Sequence, residues 1–338
     1  KSLEFYDKSF HDYLSTIAIE PLPQEKPLWE IHIINYPTKT SLGNIIFKLH
    51  HALGDGYSLM GALLSCLQRA DNPSLPLSFP SLKPSKSKAS NTSFWRKISW
   101  TMSSVFNTAS DFGWSVLKSS FIEDDKTPIR LGGEGADFQP ICISTIEFST
   151  DHIKDIKSKL GVTVNDVVTG IVFYGTRLYM QEKDSKSNTS NSTALVLMNT
   201  RNIEEFIHDT HNIINRKKQS LALALTGTLL DIEGKLRGQE AVAKHLRKTV
   251  IMSSTVVTNL VGPVQQMSLA KHPIKGLYFT LAGGPESLVI SIISYMGMPR
   301  VTLKTEKDFI DEEGLKTCMQ SAFEMIFKTT MEIDFETN

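Results

Sequence analysis

Hydrophobic and polar positions divide the chain into strand-like and helix-like segments. Two β-rich runs at 31–36 and 43–50 flank a turn-like stretch, which predicts a β-hairpin. Apolar residues at helical spacing from 57 to 67 then predict a helix directly after a glycine-containing turn. The same patterns predict later strands at 141–148, 194–198, 276–281, 288–294 and 299–304, and helices at 152–160, 163–179 and 312–329. The chain therefore has mixed α/β character without regular βαβ alternation.

Polar connectors separate these elements into two groups. Residues 71–93 are rich in Pro, Ser and Lys, and residues 123–137 are acidic and glycine-rich, so we predict loops at both places. A length of 338 residues suits two domains of ordinary size. We therefore predict one half at 1–125 and a second half at 138–338.

An aromatic segment at 94–121 separates the two groups. It contains Trp95, Trp100 and Trp114 with several basic residues and a single acidic residue, Asp111. This composition suits a lipid interface. A helix whose aromatic face packs against the rest of the protein is the alternative, and the sequence leaves both open. Since no stretch reaches the roughly 18 uninterrupted apolar residues of a spanning helix, we expect any membrane contact to be peripheral.

The charge balance excludes one class of partner. The chain carries 36 basic and 36 acidic residues, so it has no net field to attract nucleic acid. Its cysteines, Cys66, Cys142 and Cys318, lie far apart, which fits a reducing compartment and argues against a disulfide framework or a zinc site. The first residues show neither a signal peptide nor an initiating Met, and the chain is expected to be a fragment.

The run from His50 to Gly56 carries the candidate chemistry. Adjacent residues of a strand point to opposite faces, so only one of His50 and His51 can face a given cavity. A neutral imidazole can take a hydroxyl proton near neutral pH. Asp55 can orient the turn, and Gly56 offers backbone freedom. Taken alone, the run is explained equally well by two histidines of the core or the surface.

Four further stretches of the chain, together with this run, match the motifs of one protein family and occur in that family's order. His50-His51-Ala52-Leu53-Gly54-Asp55-Gly56 matches the pattern HHxxxDG, and the other stretches are Pro27-Leu28-Trp29-Glu30, Val164-Asn165-Asp166-Val167, Leu197-Met198-Asn199-Thr200-Arg201 and Thr258-Asn259-Leu260-Val261-Gly262-Pro263. Together they resemble the plant wax ester synthase/diacylglycerol acyltransferase family of the HHxxxDG acyltransferase superfamily. The resemblance covers roughly residues 27 to 325.

This resemblance implies a chloramphenicol-acetyltransferase-like α/β fold with two similar halves and an active-site tunnel between them. His51 would be the general base that activates a long-chain alcohol or diacylglycerol for attack on acyl-coenzyme A, the co-substrate. Neither a cofactor nor a metal is implied. The supporting residues would be His50, Asp55, Gly56 and Arg201, with Arg201 as the candidate ion-pair partner of Asp55, and the tunnel or substrate candidates would be Trp29, Asn165, Asp166 and Asn259.

Simpler structural roles remain open at several of these positions. Asn165 and Asp166 also fit a helix cap, and Asn259 also fits a backbone-capping residue. A peripheral site on the endoplasmic reticulum or plasma membrane, facing the cytosol, is the expected location.

Departures from the family pattern leave two alternative functions open. Only 26 residues precede Pro27, and no W-G-N element follows Arg201. We therefore expect the first half to lack its N-terminal portion and the second half to lack a segment after Arg201, which would leave this chain without a closed tunnel. A catalytically silent lipid-binding or scaffold relative is one alternative. An acyltransferase for a smaller alcohol or amine is the other, although the D-F-G-W-G element of such relatives is absent.

Overall fold

The computed structural model describes residues 2–54, 56–77, 123–132, 139–184, 208–213 and 222–332. The chain forms two compact units. The first comprises Lys1–Ser81, Gly135–Thr150 and Val256–Glu312, and the second comprises Leu82–Glu134, Asp151–Thr255 and Glu313–Asn338. Each unit thus takes residues from both predicted halves, whose boundary stays a prediction.

The first unit begins with a helix and a β-hairpin. Helix α1 (Leu3–Ile19) is capped by Ser2, whose hydroxyl accepts a hydrogen bond from the Phe5 N–H at 3.3 Å. Strands β1 (Trp29–Ile34) and β2 (Asn44–Leu49) pair antiparallel, which confirms the predicted hairpin. Helix α1 was not predicted, although its buried residues Phe10, Leu14 and Ile17 recur at helical spacing.

Two sheets complete the strands of the first unit. A small sheet has the order β3-β6-β7, and a larger one has the order β4-β9-β8-β5, in which only the pair β5 and β8 is parallel. The strands are β3 (Gln68–Arg69), β4 (Ile141–Glu147), β5 (Val256–Val261), β6 (Met267–Leu269), β7 (His272–Pro273), β8 (Leu288–Tyr295) and β9 (Met298–Glu306). The strands predicted at 141–148, 288–294 and 299–304 are confirmed. The strand predicted at 194–198 lies outside the described residues.

The predicted strand at 276–281 is wrong. These residues are described and take part in no strand. Leu277, Tyr278 and Phe279 instead pack their side chains against the apolar cores of the first unit. Burial raises the pKa of Tyr278 to about 12. The apolar run therefore serves packing, which a pattern of hydrophobicity cannot distinguish from strand pairing.

Two apolar clusters form the core of the first unit. In one, α1 packs on β4 through Phe10, Leu14, Ile141 and Ile143. In the other, helix α2 (Gly56–Ser65), which confirms the helix predicted after the histidines, packs on β6 and β8; its buried members are Met60, Leu64, Leu67, Met267, Ile293 and Tyr295. The four-stranded sheet therefore holds both helices that flank the hairpin.

The second unit is helical in its described part. Its helices are α3 (Thr150–Leu160), α4 (Val164–Lys183), α5 (Ala222–Arg237), α6 (Gln239–Met252) and α7 (Glu312–Glu332), so the helices predicted at 152–160, 163–179 and 312–329 are confirmed. Helices α4 and α7 approach closely at Gly175, where a Cβ atom would lie 2.6 Å from the Met319 Cα. Only a glycine fits at this crossing.

A buried arginine ties the end of α6 to the segment 123–132. The Arg130 guanidinium donates to the Glu123 carboxylate at 2.6 Å and to the backbone carbonyls of Asp124, Ile251 and Ser253 at 2.6, 2.8 and 3.3 Å. Two of these carbonyls belong to the C-terminal end of α6, where a positive charge is favourable.

Replacing Gly175 by Ala is expected to destabilise the protein by about 1–3 kcal/mol, because the new methyl group overpacks the α4–α7 crossing. Gly227 in α5 is the matched control, since a Cβ there meets nothing within 4 Å. Gly227→Ala should stabilise by up to about 1 kcal/mol. Urea unfolding of both variants measures the difference, and equal stability of the two would contradict the close crossing.

Candidate active site

The hairpin fixes where the histidine motif lies. Strand β2 ends at Leu49, which is paired with Trp29 at the start of β1. The His50 N–H then donates to the Leu28 carbonyl at 2.9 Å, so the ladder continues one residue beyond the strand. Residues 28–29, singled out by the sequence, thus lie directly beside the two histidines. Trp29 is half-exposed there.

The His50 ring closes the turn that follows β2. Its Nδ1 accepts a hydrogen bond from the Ala52 N–H at 3.1 Å, and its carbonyl accepts from the Leu53 N–H at 3.0 Å. Because a backbone N–H can only donate, Nδ1 carries no proton, and the neutral ring holds its proton on Nε2. The supporting role predicted for His50 thus has a physical basis in this bond.

The His51 ring, by contrast, is left available to a ligand. His51 begins the short 3-10 turn His51–Leu53, and its carbonyl accepts from the Gly54 N–H at 3.2 Å. Its side chain is exposed. Within the described parts of the chain, no hydrogen bond or ion pair holds its imidazole. The backbone of His51 is therefore fixed while its ring can accept a proton from a substrate; the tunnel stays a prediction.

A glycine shapes the turn, but not at the predicted position. Gly54 has φ +155°, and a Cβ there would lie 2.9 Å from the Ser58 Cβ. Gly56 instead begins α2, and its Cβ would lie 3.5 Å from Leu260, an ordinary contact. The backbone freedom predicted for Gly56 is thus found at Gly54.

Strand β5 supports the start of α2 through Leu260. Side chains alternate along a strand, so Thr258 shares the Leu260 face and the exposed Asn259 lies on the opposite face. Ser291, paired with Thr258 on β8, is buried and its hydroxyl has no partner among the described groups. The sequence analysis singled out the stretch that contains Thr258 but not Ser291, whose place opposite Thr258 depends on the pairing of β5 with β8.

Asp166 is a helix cap, as the simpler interpretation had it. Thr163 and Asp166 form a reciprocal capping box at the start of α4. The Asp166 Oδ2 also lies 2.7 Å from the Nδ1 of His211, a residue that the sequence analysis did not connect with it. Burial alone would raise the pKa of Asp166, but the hydrogen bonds from His211 and Thr163 outweigh it and lower the pKa.

The remaining candidates divide between the two units and the undescribed residues. Trp29, His50, His51, Gly56 and Asn259 lie in the first unit, whereas Asn165 and Asp166 lie in the second. Asp55 and Arg201 lie outside the described residues. Their ion pair stays a prediction, as do the substrate contacts of Trp29, Asn165 and Asn259.

A solved structure confirms the fold class. The wax ester synthase/diacylglycerol acyltransferase from Marinobacter aquaeolei VT8 matches with a TM-score of 0.60, covering 97% of this chain and 76% of the bacterial chain at 15% identity. The α/β fold is therefore chloramphenicol-acetyltransferase-like, as predicted. The enzyme class follows from two domain models of an acyltransferase family that match the chain, so the protein is an acyltransferase.

Sequence comparison places the chain within that class. The model of the wax ester synthase/diacylglycerol acyltransferase catalytic domain matches residues 6–132, and that of the WS/DGAT C-terminal domain matches residues 191–327. Among Arabidopsis thaliana proteins, wax ester synthase/diacylglycerol acyltransferase 4 is 26% identical over 92% of this chain and 71% of its own length. Wax ester synthase/diacylglycerol acyltransferase 1 of the same plant is 27% identical over 96% of this chain and 77% of its own length. The chain belongs to the wax ester synthase/diacylglycerol acyltransferase family, which confirms the resemblance.

Gly54→Ala is expected to lower both stability and any His51-dependent activity, because the methyl group collides with Ser58 and displaces the turn. Gly61→Ala is the control, since nothing lies within 4 Å of a Cβ at that position in α2. That variant should be as stable as the parent or up to about 1 kcal/mol more stable. Thermal unfolding and ester formation of both variants are the measurements. An unimpaired Gly54→Ala protein would contradict the turn geometry.

Asp166→Ala is expected to cost about 0.5–2 kcal/mol at pH 7, the range for replacing a helix-capping side chain by Ala. Since the folded pKa of Asp166 lies below its ordinary value, its contribution is present at neutral pH and disappears as pH falls through the folded pKa. The stability gap between parent and variant should therefore close in acid. Urea unfolding from pH 7 to pH 3 measures it; a gap independent of pH would contradict the cap.

Proposed function

We propose that the protein transfers a fatty acyl group from acyl-coenzyme A to a long-chain alcohol or a diacylglycerol, which yields a wax ester or a triacylglycerol. The observation that carries this proposal is the His51 turn. An exposed imidazole stands at the end of β2, and its backbone is held by hydrogen bonds on both sides. Family membership supplies the substrate classes.

The reaction requires one group that first removes a proton as a base and then returns it as an acid. The neutral His51 imidazole takes the proton of the acceptor hydroxyl as its oxygen attacks the thioester carbonyl carbon. The new C–O bond forms, the carbonyl electron pair moves to oxygen, and the C–S bond then breaks. The imidazolium returns its proton to the departing coenzyme A sulfur. Atoms and charge balance without an acyl-enzyme, a metal or a further cofactor.

We also propose that the enzyme works at the cytosolic surface of the endoplasmic reticulum or plasma membrane, with the membrane surface as a partner. Both acceptor classes partition into lipid, which favours a site at a membrane. No helix in the described ranges is long and apolar enough to span a bilayer. The aromatic segment 94–121, which lies outside the described residues, keeps its two interpretations.

The alternative functions lack a supporting observation. The family match does not favour a silent scaffold or lipid-binding relative. No described feature favours a small alcohol or an amine over a long-chain acceptor.

Replacement of His51 by Ala is expected to lower turnover by about two to four orders of magnitude, the range for losing a general base. The measurement is ester formation from palmitoyl-coenzyme A and either hexadecanol or dioleoylglycerol, followed by mass spectrometry.

Two other histidines serve as controls. His50→Asn keeps an oxygen that can accept from the Ala52 N–H, so it should lose much less activity than His51→Ala. His272 is an exposed histidine on β7, and His272→Ala should leave activity unchanged. Near-normal turnover of His51→Ala, in a preparation whose parent chain is active, would contradict the mechanism.

A further inference from the structure

The β1–β2 hairpin has one entirely apolar face. Directly opposed residues of an antiparallel pair share a face. The register pairs Trp29 with Leu49, Ile31 with Phe47 and Ile33 with Ile45, so these six side chains lie on one face.

Four of the six side chains on this face are exposed to solvent, and Phe47 and Leu49 are partly buried. Ile33 is 74% exposed, Ile31 48% and Ile45 43%. Leu42, in the connection between the two strands, is 92% exposed. These side chains are neighbours on one face, so they form a contiguous apolar surface rather than scattered single residues, and such a surface is a candidate interaction site.

The opposite face of the hairpin is mixed and is turned towards α1. Its Ile34 and Ile46 pack against the cluster formed by α1 and β4, and its other members are polar. The Tyr13 hydroxyl of α1 lies 2.8 Å from the His32 Nδ1. Glu30 lies 3.4 Å from the His32 Nε2 and 3.8 Å from the Lys48 ammonium. Antiparallel sheets with one solvated face usually place polar residues outside. The hairpin departs from this arrangement, because its solvated face is apolar, whereas the face towards α1 carries both ion-paired and apolar side chains.

The size of the face argues against a second copy of the chain as its occupant. A six-residue strand is about 20 Å long and two strands are about 10 Å wide, which gives roughly 200 Å². A stable protein interface needs about 800 Å² from each partner. A lipid surface needs no such area and no shape complementarity, because apolar side chains can insert singly.

The position of the face points to the same occupant. Leu49 lies at its end, and His50 and His51 follow directly. Trp29 lies opposite Leu49 and is half-exposed, and a tryptophan is suited to the boundary between headgroups and acyl chains. If the acyl acceptor is a lipid, as the proposed function states, this face would bring the histidine turn to the place where that lipid resides.

We propose that the apolar face of the β1–β2 hairpin binds the surface of a phospholipid membrane. The face carries no charged side chain, so its binding needs no anionic lipid and resists salt. The inference rests on the proposed function only for the choice of a lipid as the partner.

The test is flotation of the 338-residue chain with uncharged phosphatidylcholine vesicles. The variant Ile31→Thr, Ile33→Thr and Ile45→Thr keeps β-branched side chains, and therefore the strand propensity, but loses the apolar surface. We expect the parent to float equally at low and high salt, and the triple variant to bind about tenfold or more weakly, because the methyl groups no longer leave water. None of the three residues belongs to the catalytic turn.

A matched control removes exposed apolar side chains elsewhere. Leu236 on α5 is 80% exposed and Val264, after β5, is 60% exposed. The variant Leu236→Gln and Val264→Thr should float like the parent. Flotation of the hairpin variant equal to that of the parent would overturn the proposal.

Two other results would also overturn it. A dimeric parent and a monomeric hairpin variant, with equal flotation, would make the face an interface between copies. A fall in melting temperature of the hairpin variant would show that protein covers the face.

Ester formation from octanoyl-coenzyme A and decanol without vesicles separates the membrane proposal from the proposed function. The rate of ester formation should change less than about twofold in the hairpin variant. If the parent forms no ester, the proposed function is contradicted, but the flotation result still tests membrane binding.

Discussion

The hydrogen bond from the Ala52 N–H to the His50 Nδ1 is the interaction on which the candidate site depends. It fixes the tautomer of His50 and closes the turn that carries His51. The two adjacent histidines consequently have different environments, since the His50 ring is bonded to the backbone and no described residue bonds the His51 ring. A general base needs a backbone held in place and a ring nitrogen that a substrate can reach, and the turn provides both at His51.

The rest of the first unit holds this turn from two sides. On one side the hairpin register sets Trp29 against Leu49 and the Leu28 carbonyl against the His50 N–H. On the other side α2 begins at Gly56, the last residue of the motif, and packs on β6 and β8. Gly54 permits the sharp change of direction between strand and helix. The turn is thus positioned by strand pairing directly before it and by helix packing directly after it.

Sequence patterns predicted the hairpin, α2 and the longer helices because their hydrophobic periods are regular. They failed where burial and pairing give the same pattern, as at Tyr278, and where a contact joins distant residues, as for His211 with Asp166. The histidine motif indicated the family, which is confirmed, and selected His51 as the candidate base, which stays a prediction. The motif could not tell that Gly54, rather than Gly56, requires a glycine, because that need depends on the position of Ser58.

The division of labour between the two histidines is tested most directly by ¹⁵N NMR of the histidine-labelled protein at neutral pH. We expect the His50 Nδ1 to be unprotonated, with its proton on Nε2, and its signals to stay unchanged when hexadecanol and a non-reactive acyl-coenzyme A analogue are added. The His51 signals should shift on that addition. A proton on the His50 Nδ1, or ligand-induced shifts at His50 with none at His51, would contradict the assignment of His51 as the base.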